Sequence, residues 1–379
     1  MFMYDPFGAL YIHIPFCAQR CLYCDFATRA VAVDDPCIAA YVDSLISAIR
    51  KASRVGELGS LDTVYIGGGT PSYLGNKNLS NILYTLSLSM HLTPEIECTL
   101  EANPESFTEA MAKDLWALGV NRLSFGVQSF NDDLLISIGR IHTAQRAVEA
   151  IKQAQIRFEN ISIDLMCGLP GQTREMFLKD LAKAVELGIT HISIYPLTVE
   201  ENTPLSTLVD QGVLSEPDSD LQVDMMQDAA QVLTQAGFNR YEVASYARPG
   251  FESRHNTAYW TGVPYLGLGQ GAITMMQDET SRVRLDGDEV IEVLNLSERY
   301  AEDLMLGMRM SRGVSQALID EARPYTHRLD ETILNLCNEG YVAYKDSRLV
   351  PTEKGWLFGN HVYGALLGCG IPDQSHSKH

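Results

Sequence analysis

Apolar and polar positions along the chain fall into a rhythm: short branched-apolar runs, each followed by a stretch with helical period. The runs are ALYIHI (9–14), DTVYIGGG (62–69), IECTLEANP (96–104), NRLSFGVQSF (121–130), ISIDLMCGLP (161–170) and HISIYPL (191–197). Nearly continuous apolar runs alternating with helices predict a parallel sheet buried on both faces. EAMAKDLWALG (109–119) puts Met111, Leu115 and Leu118 on one helical face and ends at Gly119, an expected C-cap. REMFLKDLAKAVELG (174–188) repeats this with Phe177, Leu181 and Val185, ending at Gly188. Six such units are too few to close the eight-stranded barrel. The expectation is an α/β fold, a partial (β/α)6 barrel over residues 1–200.

After residue 200 the rhythm changes. A helix over SDLQVDMMQDAAQVLTQAG precedes NRYEVASYARPG and an aromatic, glycine-rich stretch HNTAYWTGVPYLGLGQGA (255–272), read together as a barrel extension over 201–296. From 297 to 370 the order is helix, two strands around a polar KDSR turn, then helix, the order of a winged-helix module. Residues 371–379 are expected to be a flexible tail.

Charge narrows the function. The chain has 379 residues, a formal net charge of −19 and no basic stretch, which disfavours nucleic-acid binding and gives the winged-helix-like module a lid or packing role instead. No apolar run reaches the ~18 residues of a membrane span and no signal peptide is legible, so a cytoplasmic location is expected. Of eight cysteines, Cys37, Cys98, Cys167, Cys337 and Cys369 lie far apart and read as isolated thiols.

The other three crowd into FCAQRCLYCDF, residues 16–26. Spacings of four and three let the thiolates of Cys17, Cys21 and Cys24 converge on one inorganic centre. Structural zinc wants a fourth protein ligand, and no second cysteine pair exists; nearby His13 alternates with Tyr11, Ile12 and Ile14 as a packed strand residue would. A redox dithiol at Cys21 and Cys24 lacks the usual setting at the head of a helix. Three thiolates suit a [4Fe–4S] cluster with one iron left open to a non-protein ligand. The remaining unusual residues lie at strand ends, where α/β folds bind ligands.

C-x-x-x-C-x-x-C after a first strand resembles the radical S-adenosylmethionine (SAM) superfamily. YIHIPFC, GGGTPSYL, LEANPE, RLSFGVQSF, IGRIH, IDLMCGLPGQT and HNTAYW together resemble its HemN family over nearly the whole chain. The resemblance implies that the amino and carboxylate groups of SAM chelate the open iron and that the reduced cluster releases a 5′-deoxyadenosyl radical, the protein supplying position and water exclusion. It further implies that Gly68, Gly69 and Thr70 contact SAM, that Glu101, Gln128, Arg140 and Asp164 belong to the same site, and that Tyr11 and Tyr23 form aromatic walls near cluster and SAM. Read as residues alone, the glycines are a tight turn or a backbone free to approach a ligand through its N–H groups, Glu101 a loop cap or an acceptor for a ribose hydroxyl or an ammonium, and Arg140 a surface helix residue or a ligand. A buried Asp164 calls for a polar ligand or pairing with Arg140.

The family holds two branches. Its coproporphyrinogen III dehydrogenases resemble C-x-x-x-C-x-x-C-x-C with a longer N-terminal segment; its heme chaperones have phenylalanine in the last place, as Phe26 does here, and carry H-N-x-x-Y-W. With only about ten residues ahead of Tyr11, the chain is expected in the chaperone branch. That branch implies heme as a further ligand, His255 as its axial ligand with Tyr259 and Trp260 against the porphyrin face, and a recipient hemoprotein as partner, with bacterioferritin or respiratory-chain proteins as candidates and peripheral membrane association. A histidine capping a turn beside two core aromatics is the plainer reading of the same residues. Two departures stand out: Ser253 and Arg254 occupy positions where relatives often carry a cysteine, and GQGAITMM replaces G-x-G-A-H. Oxidative decarboxylation of coproporphyrinogen III and radical SAM methyl transfer remain competing activities.

Overall fold

The computed structural model describes residues 4–90, 93 and 95–371; nearly all of the expected tail lies outside them. Six parallel strands appear where the apolar runs stand: β1 (Ala9–Ile14), β2 (Thr63–Gly68), β3 (Glu97–Ala102), β4 (Arg122–Gln128), β5 (Asn160–Cys167) and β6 (His191–Pro196). Each is followed by helix, from Pro36–Arg54 after β1 to Ser219–Gln235 after β6. The two glycine stops hold, displaced by one residue: Leu118 and Leu187 are the caps, and Gly119 and Gly188 follow with φ of 95° and 67°.

The strands are not buried on two apolar faces, as expected, but alternate strictly. Leu10, Ile12, Val64, Ile66, Leu100, Leu123, Phe125, Ile161, Ile163, Ile192 and Ile194 face the helices and are almost wholly buried in the main core. Between them stand Tyr11, His13, Tyr65, Thr99, Glu101, Arg122, Ser124, Ser162, Asp164, His191 and Ser193. These form a polar inner face, tied together by bonds such as Ser162 Oγ to His191 Nδ1 (2.7 Å) and His191 Nε2 to Tyr241 Oη (2.8 Å). A side-chain period of two puts fold and chemistry on opposite sides of the same strands.

Among the described residues, later segments widen the sheet to twelve strands without closing it. Beyond β6 lie β8 (Ser245–Ala247) and then β7 (Asn239–Arg240); beside β1 lie β9 (Tyr265–Leu268), β10 (Ile273–Gln277), β11 (Ser281–Asp286) and β12 (Glu289–Asn295). β9 runs parallel to β1, a seventh parallel strand. It is too short, and too closely flanked by glycine, to announce itself as a run.

The C-terminal region has its own core, built from Leu304, Ile319, Ile333, Leu336, Leu349 and Val362 among others. Its hairpin, β14 (Val342–Lys345) and β15 (Arg348–Pro351), joins β13 (Val314–Ser315) in a three-stranded sheet. The KDSR turn places Asp346 and Ser347 at φ of 49° and 60°, both left-handed, as a two-residue hairpin with right-handed twist demands. Among the described residues no helix is long and apolar enough to cross a membrane.

Candidate functional site

The cysteine loop leaves β1 and is anchored at its base, where Phe16 and Cys17 pair in parallel with Arg29 and Ala30. Its middle is held by backbone bonds from Leu22 N–H to the carbonyl of Ile138 (3.1 Å) and from Leu205 N–H to the carbonyl of Leu22 (2.8 Å). All three thiols are free, Cys17 buried and Cys21 and Cys24 partly so. Burial pushes the Cys17 thiol up, while the Thr70 hydroxyl, donating to its Sγ at 3.4 Å, pulls it back. Phe26, 64% exposed, stands clear of the packed barrel.

A bridge of side chains joins two of these thiols. Thr70 Oγ1, donor to Cys17, accepts from Asn103 Nδ2 at 3.0 Å; Asn103 Oδ1 accepts from Arg140 Nη2 at 2.8 Å; Arg140 Nη1 donates to Cys21 Sγ at 3.5 Å. Arg140 also donates to the Gly126 carbonyl at 2.6 Å. Its guanidinium is thus fixed by three groups and is no surface residue; nor does it pair with Asp164, as the isolated carboxylate had suggested. Asn103, the central member, was missed in the sequence although it stands inside LEANPE.

The glycine turn works differently from the expectation. The N–H of Gly68 donates to Glu101 Oε2 (3.0 Å), that of Gly69 to the Ile14 carbonyl (2.7 Å) and that of Thr70 to the Phe16 carbonyl (2.8 Å). All three donors are engaged inside the protein. The glycines are required by proximity: a Cβ on Gly68, at φ 110°, would stand 2.6 Å from the His13 ring, and one on Gly69 would stand 2.9 Å from the Ile14 carbonyl oxygen and 3.0 Å from Cys17 Sγ.

Glu101 accepts from Tyr65 Oη at 2.6 Å as well as from Gly68. Burial pushes its carboxyl up, against the pull of those two bonds. Asp164 is pushed up to about 7, by burial first and by the Glu101 carboxylate second, while Arg122, Ser193 and Arg140 draw it down. Two carboxyl groups sharing one enclosed face cannot both ionise cheaply, and a cation placed between them would relieve both. Arg122, itself buried, leaves Nε without a partner among the described residues. Tyr11 stacks on Tyr65 with centroids 6.2 Å apart and shares a hydrogen bond with His13 Nδ1 (3.0 Å); Tyr23 packs beside Leu134, Ile138 and Met166. Gln128 ends β4 at φ 66°, after a bulge, and its strained turn is held by Asp180, which accepts from Ser129 Oγ (2.6 Å) and Phe130 N–H (2.8 Å).

His255 is placed otherwise than an open axial ligand would be. It is 1% exposed, shares hydrogen bonds with Thr63 Oγ1 (2.8 Å) and Tyr259 Oη (3.2 Å) through its two ring nitrogens, and stacks on Tyr65 at 5.0 Å. Burial holds its pKa down at about 3. Ligation of heme iron from here would need Thr63 or Tyr259 to release the ring. Ser253, at the first departure from the family pattern, is wholly buried and caps the Arg254–Trp260 helix, accepting from Asn256 N–H. Ile273, at the second, begins β10.

No three His, Cys, Asp or Glu side chains among the described residues converge on a single ion. In an iron–sulfur cluster each thiolate binds its own iron, so three neighbouring thiols on an anchored loop fit a polynuclear centre, and the three-cysteine set leaves one iron for another ligand.

Residues 11–184 match the radical SAM superfamily. The chain is 35% identical to the heme chaperone HemW of Lactococcus lactis over 380 residues, covering 95% of this chain and 97% of that protein, and 34% identical to HemW of Bacillus subtilis over 384 residues, covering 94% and 98%. The coproporphyrinogen III oxidase HemN of Escherichia coli shares the fold, with a TM-score of 0.79 at 21% identity over 96% of this chain and 91% of that one. The chain belongs to the radical SAM superfamily and, within it, to the family of the heme chaperone HemW.

Proposed function

We propose that the protein is a heme carrier that holds a [4Fe–4S] cluster on Cys17, Cys21 and Cys24, binds SAM on the adjoining inner face, and hands heme to a recipient hemoprotein. The observation that carries this reading is similarity over almost the entire chain to proteins named heme chaperones, and Phe26 at the place of the dehydrogenases' fourth cysteine agrees with it.

Such a cluster, when bound, is a one-electron donor to the SAM sulfonium. The chain's own residues prepare that encounter. Thr70 and Arg140 donate hydrogen bonds to the sulfurs of Cys17 and Cys21. Carbonyl oxygens of the Gly68–Gly69 turn would accept from the SAM ammonium, and Glu101 would offer a carboxyl oxygen to ribose or ammonium. Asp164 and Gln128 would supply further polar contacts, Arg140 would offer SAM a cation, and Tyr11 and Tyr23 would keep water from the site. The recipient is a hemoprotein, with bacterioferritin and respiratory-chain proteins as candidates, met in the cytoplasm or at a membrane surface.

The test is transfer. Cluster-reconstituted protein loaded with heme under anaerobic conditions is mixed with an apo-hemoprotein, and the recipient's Soret band is followed. Recovery of recipient spectrum faster than from free heme or from heme-loaded albumin supports the carrier; no acceleration with any apo-hemoprotein tried rejects it.

A further inference from the structure

Away from the cysteine loop, a cleft of about 1240 Å3 opens where β6 and the Ser219–Gln235 helix face the C-terminal region. None of the residues assigned above to cluster or SAM lines it. Its walls carry two indoles from opposite parts of the chain: Trp260 from the Arg254–Trp260 helix and Trp356 from the Glu353–Leu357 helix. Over each indole lies a guanidinium. Arg240 sits 4.2 Å from the Trp356 ring centroid, and Arg309 sits 5.0 Å from that of Trp260. Arg309 Nε is buried without a partner among the described residues, whereas Arg240 also donates to the carbonyls of Glu242 and Val243.

In a chain of net charge −19, this cleft is locally neutral, its two arginines matched by Glu242 and Glu353. Guanidinium groups match carboxylates in planar, paired geometry, and indoles offer broad apolar faces. The Ser219–Gln235 helix contributes Met226 and Ala230 among polar residues, chiefly Gln222, Gln227, Gln231 and Gln235. Glu242, also in the lining, accepts from Trp260 Nε1 at 3.2 Å, and burial raises its carboxyl. Cofactor pockets commonly span about 300–1,000 Å3, so the volume admits a macrocycle.

We propose that this cleft is the heme site: the porphyrin plane lies between Trp260 and Trp356, and its two propionates meet Arg240 and Arg309. The inference rests on the heme-carrier reading and gives it a place. It divides the H-N-x-x-Y-W segment in two, since Asn256 and Trp260 line the cleft whereas His255 turns inward to Thr63 and Tyr65. Among the described residues no histidine or cysteine lines the cleft, and of the lining side chains Tyr195 and Met226 could reach an iron. In this proposal ring and propionates carry the binding.

The experiment titrates heme and metal-free protoporphyrin IX into the cluster-loaded full chain, reading the Soret band, porphyrin fluorescence and quenching of tryptophan emission. The proteins are wild type, the Arg240→Glu/Arg309→Glu double variant, Ala230→Trp and His255→Ala. Ala230→Trp fills the cleft without removing any proposed contact, so it informs even if the double variant folds poorly. The account expects protoporphyrin IX to bind within about tenfold of heme, both cleft variants to lose at least about tenfold in affinity with unchanged iron content, and His255→Ala to stay within about threefold. Heme binding by wild type that survives in Ala230→Trp, or that requires iron and vanishes in His255→Ala, overturns the site and leaves the carrier reading standing. Absence of heme binding by wild type overturns both.

Discussion

The two faces of the barrel strands share every backbone hydrogen bond and almost nothing else. On the outer face, Leu10, Ile66, Leu100, Phe125, Ile163 and Ile192 bury against helices; on the inner face, one residue along, stand Tyr11, Tyr65, Glu101, Arg122, Asp164 and His191. The outer face stabilises the barrel by roughly 1.5–3 kcal/mol for each large apolar side chain removed from water. The inner face opposes it with partly satisfied charges, Glu101 and Asp164 among them. Fold and chemistry are thus separable by the parity of position along a strand.

Substitutions on each side, and on the loop that the inner face feeds, can break or sharpen that separation. The largest effect is expected from Cys21→Ala: iron retained after anaerobic reconstitution should fall to near background, while the apo-protein's unfolding free energy shifts by no more than about 0.5 kcal/mol, the thiol being in a partly exposed loop. Next comes Ile66→Ala on the outer face, which should cost about 2–5 kcal/mol in denaturant unfolding and leave iron per folded chain unchanged. If the order of effects were reversed, the two faces would not be separable.

Asn103→Ala removes the centre of the bridge between Thr70 and Arg140 and should cost about 1–3 kcal/mol, with a shifted potential of the reconstituted cluster in a redox titration. An unchanged potential would mean that the bridge only packs.

The remaining effects are in pH dependence, and they have opposite signs. Asp164 is raised in the folded state from 3.8 to about 7, so the native protein binds the extra proton and stability contributed by this group falls as pH rises between those values. Asp164→Asn should therefore gain stability over wild type as pH goes from 4 to 8. His255 is lowered from 6.5 to about 3, so its contribution is full above 6.5 and lost as pH falls towards 3. His255→Asn should flatten wild type's acid-side slope. Unfolding midpoints of the three proteins from pH 4 to 8 decide both.

What was legible in the sequence follows the same division. The six strands and their helices were legible because apolar runs and helical periods are local signals. The polar inner face was there as well: the alternation Leu10–Tyr11–Ile12–His13–Ile14 is visible, but it was read only for His13 and not extended to the other strands. The cysteine loop was legible because three thiols at that spacing have few uses. The engagement of the Gly68, Gly69 and Thr70 donors was not, because their acceptors, Glu101, Ile14 and Phe16, come from other elements. Nor was the enclosure of His255: a motif names a residue, whereas Thr63 and Tyr65 fix its ring from nearly two hundred positions away. β9 and the cleft were missed for a related reason, since each is assembled from segments that are short or remote.

The central claim is that this cluster-bearing barrel carries heme and does not decarboxylate porphyrinogen. Reconstituted protein with SAM and reductant, kept anaerobic, is offered heme and coproporphyrinogen III in parallel, with visible spectra and product analysis. The account predicts stable heme uptake and no protoporphyrinogen. Conversion of coproporphyrinogen III would contradict it, and would show that Phe26 in place of a fourth cysteine does not separate the two activities.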